Sequence, residues 1–418
     1  MILLPNRAAG QNQIPPSRGA SAHCRSRGLD GVTSMLLKTL LSLFLVLAGS
    51  FASTLRADPA ASLVPLGNFV KPTYVGVAPG HRNLLFVVEQ SGLIFVLQNE
   101  VKVSQPFLDI RLLVRAPPAG GSEQGLFSVA FAPDYQSSGR FYVAFANNNG
   151  DIELNEFRRM GNNPLRAARD TRRILITIPH PIAENHYGGQ LQFGPDGYLY
   201  WSTGDGGSVP GQPIGDNARK LNNLLGKILR INPLPSGNKP YTIPPDNPFV
   251  GIGGRNAIFA YGLRNPWRFS FHGQRIIIAD VGAQSFEEIN FLNIADARGA
   301  NFGWPEFEGD ASFAPDRPGP HEPTFPMHAY AHSEPCNAVI GGYVVRNPSL
   351  PALNGRYVYS DSCQGQLRSF VGHVASQQAV DDKSAEVATP GVRSFGRGFG
   401  GRIYVTQGNG QVSRLAPP

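Results

Sequence analysis

The run Glu184-Asn185-His186-Tyr187-Gly188-Gly189-Gln190 sets one histidine on a loop entering the alternating segment Leu191–Phe193. Histidine titrates near neutral pH, so on a rigid loop it can take a proton from a substrate. The competing reading is a histidine satisfied by a nearby loop carbonyl. The double glycine after it would let a planar ligand approach the backbone closely. His186 stands seven residues before Phe193, Arg264 seven before Phe271, and Gln124, beside Glu123, seven before Phe131. Arginine offers a planar fork of donors for a carboxylate or a developing oxyanion; its alternative here is a salt bridge between neighbouring units. The stretch from Asp280 to Asn290 offers carbonyls and carboxylates, hard oxygen ligands for Ca²⁺, or else a solvated acidic turn. Asp205, Asp280 and Asp361 each end a strand and read as Asx turns. His321, His328 and His332 fall in a Pro-rich insertion without a metal-ligand spacing. No P-loop, Gly-rich dinucleotide turn or Gly-x-Ser-x-Gly elbow occurs.

These residues need a scaffold that brings loops together. Six segments share one plan of strand, polar turn with glycine and second strand: 83–97, 139–157, 197–231, 274–292, 355–370 and 401–415. Gly139-Arg140-Phe141-Tyr142-Val143 is echoed by Gly355-Arg356-Tyr357-Val358-Tyr359 and Gly401-Arg402-Ile403-Tyr404-Val405. A further strand precedes several of these hairpins, as in 126–131, 191–193 and 267–271. Repeated hairpins of this size predict an all-β fold, a six-bladed β-propeller of four-stranded antiparallel blades. In such a fold the loops entering the innermost strands converge over the axis, which places His186, Arg264, Gln124 and Glu123 near one another. The only short helix predicted is 217–225.

Composition narrows the function classes. Hydrophobic content of 41% argues against disorder, and only 16% charged residues argues against long solvated helices. Met35 to Ala57 reads as a secretory signal, with a short basic start and an apolar run too short to span a bilayer. Residues 1–34 read as a non-native extension before the true start, and 58–418 as the propeller domain. The whole chain carries +7, and residues 1–57 hold +5 of it, which leaves +2. Nucleic acid is therefore not an expected partner. Beyond the leader only Cys336 and Cys363 remain, an even pair suited to a disulfide in a periplasmic or secreted protein.

Together these motifs resemble the glucose/sorbosone dehydrogenase family of propellers, including its hedgehog-interacting branch. The resemblance runs over roughly residues 65–415. It rests on Glu123-Gln124-Gly125-Leu126, His186-Tyr187-Gly188-Gly189, Leu225-Gly226-Lys227-Ile228, Tyr261-Gly262-Leu263-Arg264-Asn265-Pro266, Glu287-Glu288-Ile289-Asn290 and Asn301-Phe302-Gly303-Trp304-Pro305. It implies pyrroloquinoline quinone (PQQ) and Ca²⁺ as cofactors, oxidation of an aldose to its lactone, and an external electron acceptor such as a quinone, cytochrome or dye. By resemblance His186 is the base, Arg264 and Asn265 face the quinone, and Glu123, Gln124 and Asn185 lie near the sugar. The carbonyls of Gly282 and Ala283 would hold the cofactor Ca²⁺, while Glu288 and the Phe302 carbonyl match a second calcium site. The chain departs from the pattern at Cys363, where a lysine is expected. Arg393 and Arg397 are the candidates for the late arginines that grip the cofactor carboxylates, and Glu308 and Asp310 are shifted from the expected acidic ligands. These departures, with the Cys336/Cys363 pair, keep open a non-enzymatic propeller that binds a glycan or protein in the same axial pocket. A calcium-dependent lactone hydrolase is disfavoured, because His186 and Arg264 stand where an acidic ring would be needed.

Overall fold

Short runs of aromatic and β-branched residues, closed by glycine turns, form the strands here. The computed structural model describes residues 58–115, 117, 122–161, 163–181, 183–207 and 215–418; the expected extension and signal, 1–57, lie outside the described residues. Six antiparallel sheets make a six-bladed propeller. Blade one contains Pro72–Val77, Leu84–Glu89 and Leu93–Gln98, with Val101–Lys102 and Leu108–Asp109 both paired to the third strand. Blade two runs Leu126–Phe131, Arg140–Ala146, Ile152–Met160 and Asn163–Ile178. Blade three is Leu191–Phe193, Leu199–Thr203, Lys227–Ile231 and Ile258–Tyr261. Blade four is Arg268–His272, Arg275–Asp280 and Phe286–Asn293, completed by His328–Ala331 from beyond an insertion. Blade five is Val339–Val344, Tyr357–Asp361, Gln366–His373 and Gln378–Ala388.

Blade six closes the ring. Its strands Val392–Arg397, Ile403–Gln407 and Gln411–Ala416 are completed by Ser62–Asn68 from the other end of the domain, paired to Gln411–Ala416. No local sequence pattern announces this pairing. Aromatic rings fill the wedges between blades; Phe86 of blade one and Phe131 of blade two lie 4.4 Å apart, both buried.

The innermost strands are edge strands whose outer backbone groups face the axis and need partners. Polar side chains supply them across the blade gaps. Thr73 Oγ1 donates to the Leu126 carbonyl at 2.8 Å, and Ser128 Oγ to that of Gly189 at 2.8 Å. The Gln190 amide donates to the Phe269 carbonyl at 2.8 Å and accepts from the Phe269 N–H at 3.0 Å. Arg268, 1% exposed, donates to Ser394 Oγ of blade six, to the Thr73 carbonyl of blade one and to its neighbour Trp267. Among the described residues it has no carboxylate partner, and burial pulls its guanidinium down to about 10.

The predicted helix 217–225 shrinks to Asp216–Arg219, with Lys220 already extended. The fully buried Lys227 explains the stop. Its ammonium donates to the carbonyls of Asn217, Ala218 and Leu225, the first two of which a helix running to 225 would have used internally.

Two stability measurements follow. Arg268→Ala strands the Ser394 hydroxyl and two carbonyls on the axis, and should cost about 3 kcal/mol in urea unfolding; an unchanged midpoint would remove it as a closing group. Cys336 and Cys363 form a disulfide with Cα atoms 5.7 Å apart, 27 residues along the chain. Replacing both by serine should lower stability by about 3.5 kcal/mol on the chain-entropy estimate, read as a shifted midpoint under non-reducing conditions.

Candidate functional site

Three loops meet where the seven-residue register placed them. The Glu123 carboxylate accepts from the Tyr187 N–H at 3.1 Å and from the Asn265 amide at 3.1 Å and 3.3 Å. The Asn265 carbonyl oxygen accepts from the Gly188 N–H at 3.0 Å. Blades two, three and four are thereby tied over the axis by one carboxylate and one amide. Gln124 turns inward instead and donates to the Tyr187 hydroxyl at 3.0 Å. Asn185 is exposed, beside Gly207.

His186 is 8% exposed and has φ +58°, a left-handed conformation that is costly for a residue with a β-carbon. Its neighbours over-determine that conformation. A β-carbon at Gly204 would lie 2.0 Å from the His186 carbonyl oxygen, so only glycine fits opposite it. Gly188 and Gly189 serve the same close packing. Side chains there would strike the Thr203–Gly204 backbone and the Phe127 ring, so the double glycine admits the protein's own chain rather than a planar ligand.

The histidine Nδ1 lies 2.7 Å from Asp205 Oδ1. A carboxylate can only accept there, which sets the proton on Nδ1 and leaves Nε2 as the acceptor nitrogen. Asp205 is read in sequence as a turn residue, and it does accept from Gly207 N–H at 2.9 Å. It also holds the His186 imidazole. Its other oxygen accepts from the Trp304 indole at 2.9 Å, and its N–H donates to the Arg264 carbonyl at 2.8 Å. Burial pushes the Asp205 carboxyl upward, but His186, Arg264 and Trp304 outweigh it and hold it below the usual value. The only signal in the sequence is the hairpin itself: the register of Leu191 with Trp201, carried back five residues, sets His186 opposite Gly206, next to Asp205.

Arg264 is half-buried. It donates to the Val281 carbonyl at 2.9 Å and lies over the Trp304 ring at 5.6 Å. Asp280 is no Asx turn. It accepts from the backbone N–H groups of Arg264 at 2.8 Å and Asn265 at 2.6 Å, and burial raises its carboxyl to about 7. Behind the Gly282–Ala283 turn stands Glu308, which sequence reading set aside as shifted. One of its oxygens accepts from four successive N–H groups, Ala283 to Phe286, and the other is buried with no partner. Glu288 accepts from Gly309 N–H at 2.6 Å; burial first, then the charge of Asp280, raises its carboxyl well above the ordinary range. Phe302 lies apart in this set, its N–H donating to the Tyr261 carbonyl at 2.9 Å.

The late arginines separate. Arg393 lies at the entry end of its strand, where its carbonyl accepts from the Trp267 indole at 2.8 Å. Its guanidinium has no carboxylate partner among the described residues, and burial lowers it. Arg397 is exposed at the far end of the same strand, about 13 Å further along at the usual rise, and donates to the Phe271 carbonyl. The structure does not bring it to the His186 loops. Nor do the insertion histidines converge: His321 meets Tyr261, His328 meets Tyr359, and His332 meets Glu287. Among the described residues no group of three or more His, Cys, Asp or Glu side chains could hold a metal ion.

Asp205 gives a pH test. Its folded-state value is depressed, so its contribution is present above the ordinary 3.8 and is lost as pH falls through the lowered value. The stability gap between the native chain and Asp205→Asn should close in strong acid, as pH falls through the lowered value. A gap independent of pH would show that the Asp205 charge contributes nothing.

Residues 70–414 match the Glucose / Sorbosone dehydrogenase family. The chain is 30% identical over 432 residues to the HIPL1 protein of Arabidopsis thaliana, covering 81% of this chain and 60% of that one. It is 28% identical over 297 residues to Hedgehog-interacting protein of Mus musculus, covering 66% and 39% respectively. The chain spans about half the length of the curated relatives it matches. Its fold is similar to the PQQ-bound form of aldose sugar dehydrogenase from Streptomyces coelicolor, with TM-score 0.65 and 20% identity over 86% of this chain and 99% of that chain. The chain belongs to the glucose/sorbosone dehydrogenase family.

Proposed function

We propose that this member of the glucose/sorbosone dehydrogenase family oxidises the C1 hydroxyl of an aldose to the lactone, with PQQ and Ca²⁺ as cofactors. The His186–Asp205 pair carries this reading. A neutral imidazole with its Nδ1 proton fixed by a buried carboxylate is a base aimed by its other nitrogen. His186 takes the hydroxyl proton at Nε2, and Asp205 stabilises the imidazolium that forms. Arg264, held over Trp304, stabilises negative charge that develops beside the sugar. Glu123 fixes the floor on which the sugar sits, Asn185 flanks it, and the buried Gln124 supports that floor from behind through the Tyr187 hydroxyl.

The residues present fit the cofactors in kind. Arg264 and the acid-free Arg393 supply guanidinium donors for an anionic quinone at the entry face. Asn265 spends its side chain on Glu123 and Gly188, and so would position the pocket. The orphaned Glu308 oxygen and the buried Asp280 and Glu288 leave the Gly282–Ala283 turn short of positive charge, which suits a calcium ion on main-chain oxygens there. Bound PQQ would supply the hydride acceptor, and an external quinone, cytochrome or dye would reoxidise it. The disulfide supports a periplasmic or secreted setting. Among the described residues no helix is long and apolar enough to cross a membrane.

A second reading has one observation behind it. Cys363, at the position where a lysine was expected, is locked to Cys336, so a cation that would grip the cofactor is missing. On that reading the axial pocket binds a glycan or protein without turnover. Titration with PQQ and Ca²⁺, followed by dye reduction with a panel of aldoses, separates the two. The dehydrogenase reading expects quinone binding and turnover, with His186→Asn losing about 10²–10⁴-fold in kcat while still binding PQQ. Absence of quinone binding at excess Ca²⁺ would sink it, and full activity in His186→Asn would remove the histidine from its role.

A further inference from the structure

The face opposite the His186 loops divides into two sectors, because its turns in blades two and three hold Asp134 and Asp196, paired with Arg140 and Arg230. The entry face holds Glu123, Asp205, Asp280, Glu288 and Glu308. On the opposite face, the connections between the first and second strands of blades four, five, six and one are residues 272–275, 345–356, 397–402 and 78–83, and none contains Asp or Glu. They contribute Arg275, Arg346, Arg397, Arg402 and Arg82. Arg356 from the same set is spent on Ser369 and Asp381.

Two adjoining clefts open here where blade six meets blade one, of about 320 Å³ and 540 Å³. Both fall in the usual range for small-ligand sites, roughly 300–1,000 Å³. They share Arg82, Phe399 and Arg402. Glu100 is the one acid in their walls, and it is neutralised by Arg414 at 3.0 Å and Arg402 at 3.6 Å. Arg82 is exposed and has no side-chain partner among the described residues. The clefts therefore carry a surplus of guanidinium groups beside an aromatic ring, with Asn83, Asn99 and Asn347 as neutral donors and acceptors. Arg346, hydrogen-bonded to His272 at 2.7 Å, and Arg397, over the Tyr343 ring at 5.4 Å, continue the basic track towards the channel exit.

We propose that this face binds an acidic polysaccharide built of uronate units, with one carboxylate seated between Arg82 and Arg402. Planar carboxylates match guanidinium forks, amide side chains match sugar hydroxyls, and an aromatic ring matches an apolar sugar face. A track of spaced arginines beyond the clefts suits a repeating anion. Concave clefts lined by amides favour a sugar chain over a flat lipid surface. The proposal is independent of the redox reading, because its residues lie at the other end of the propeller.

The test is calorimetric titration of the full chain with an oligogalacturonate, a neutral oligogalactose of equal length and inorganic phosphate as separate probes. Binding of the oligogalacturonate alone is expected, weakening with salt. Arg82→Glu and Arg346→Glu should each weaken it about tenfold or more, with unchanged melting curves. Arg169→Glu, the same charge change on the outer strand of blade two, should leave it unaltered. Equal weakening by Arg169→Glu would reduce the effect to net charge and overturn the site. Phosphate binding of equal strength would overturn the sugar assignment. Binding to vesicles containing anionic lipid, with none to the oligogalacturonate, would overturn it in favour of a membrane surface.

Discussion

Six sheets that wedge around an axis leave six innermost strands with unpaired backbone groups facing one another. Side chains, rather than sheet hydrogen bonds, bridge those gaps and satisfy the groups there. Arg268 answers this constraint most directly, since one guanidinium reaches blades one, four and six. Thr73, Ser128 and Gln190 do the same work between single pairs of blades. A charge buried without an acid is tolerable because carbonyl and hydroxyl oxygens surround it. The loops at either end can then vary, because the ring that carries them is already fixed.

The candidate site is built on that ring by strain and by shared carboxylates. His186 is held left-handed by glycines that give way to it, and Asp205 binds its imidazole on one side and Trp304 on the other. Each acidic group near the axis has a distinct duty. Glu123 ties loops, Asp205 orients the His186 imidazole, Asp280 holds the loop bearing Arg264, and Glu308 shapes the turn opposite that loop. At the other end Arg402 and Arg414 share the single carboxylate of Glu100, which leaves a local surplus of guanidinium groups where blade six meets blade one.

Much of this was written locally. The strand–turn–strand segments gave the blade count, and the residues seven positions ahead of Phe131, Phe193 and Phe271 gave the loops that meet. The glycines after His186 were misread, because their need is set by Thr203, Gly204 and Phe127, residues distant in sequence. Asp205 and Asp280 were read as turn formers, since an Asx turn and a buried orienting carboxylate look alike until the hairpin register is drawn. Arg397 shares a strand with Arg393, yet a rise of a few ångströms per residue carries it to the opposite face.

By itself the sequence determined the family, the all-β repeat and the histidine and arginine that face one opening, because these depend on residue type and short spacing. Only the tertiary structure decided which carboxylate serves which group, how Ser62–Asn68 closes blade six, and which end each arginine occupies. Those outcomes depend on pairings between residues many positions apart. Such pairings are fixed by the geometry of closing a ring, which no short stretch of chain contains.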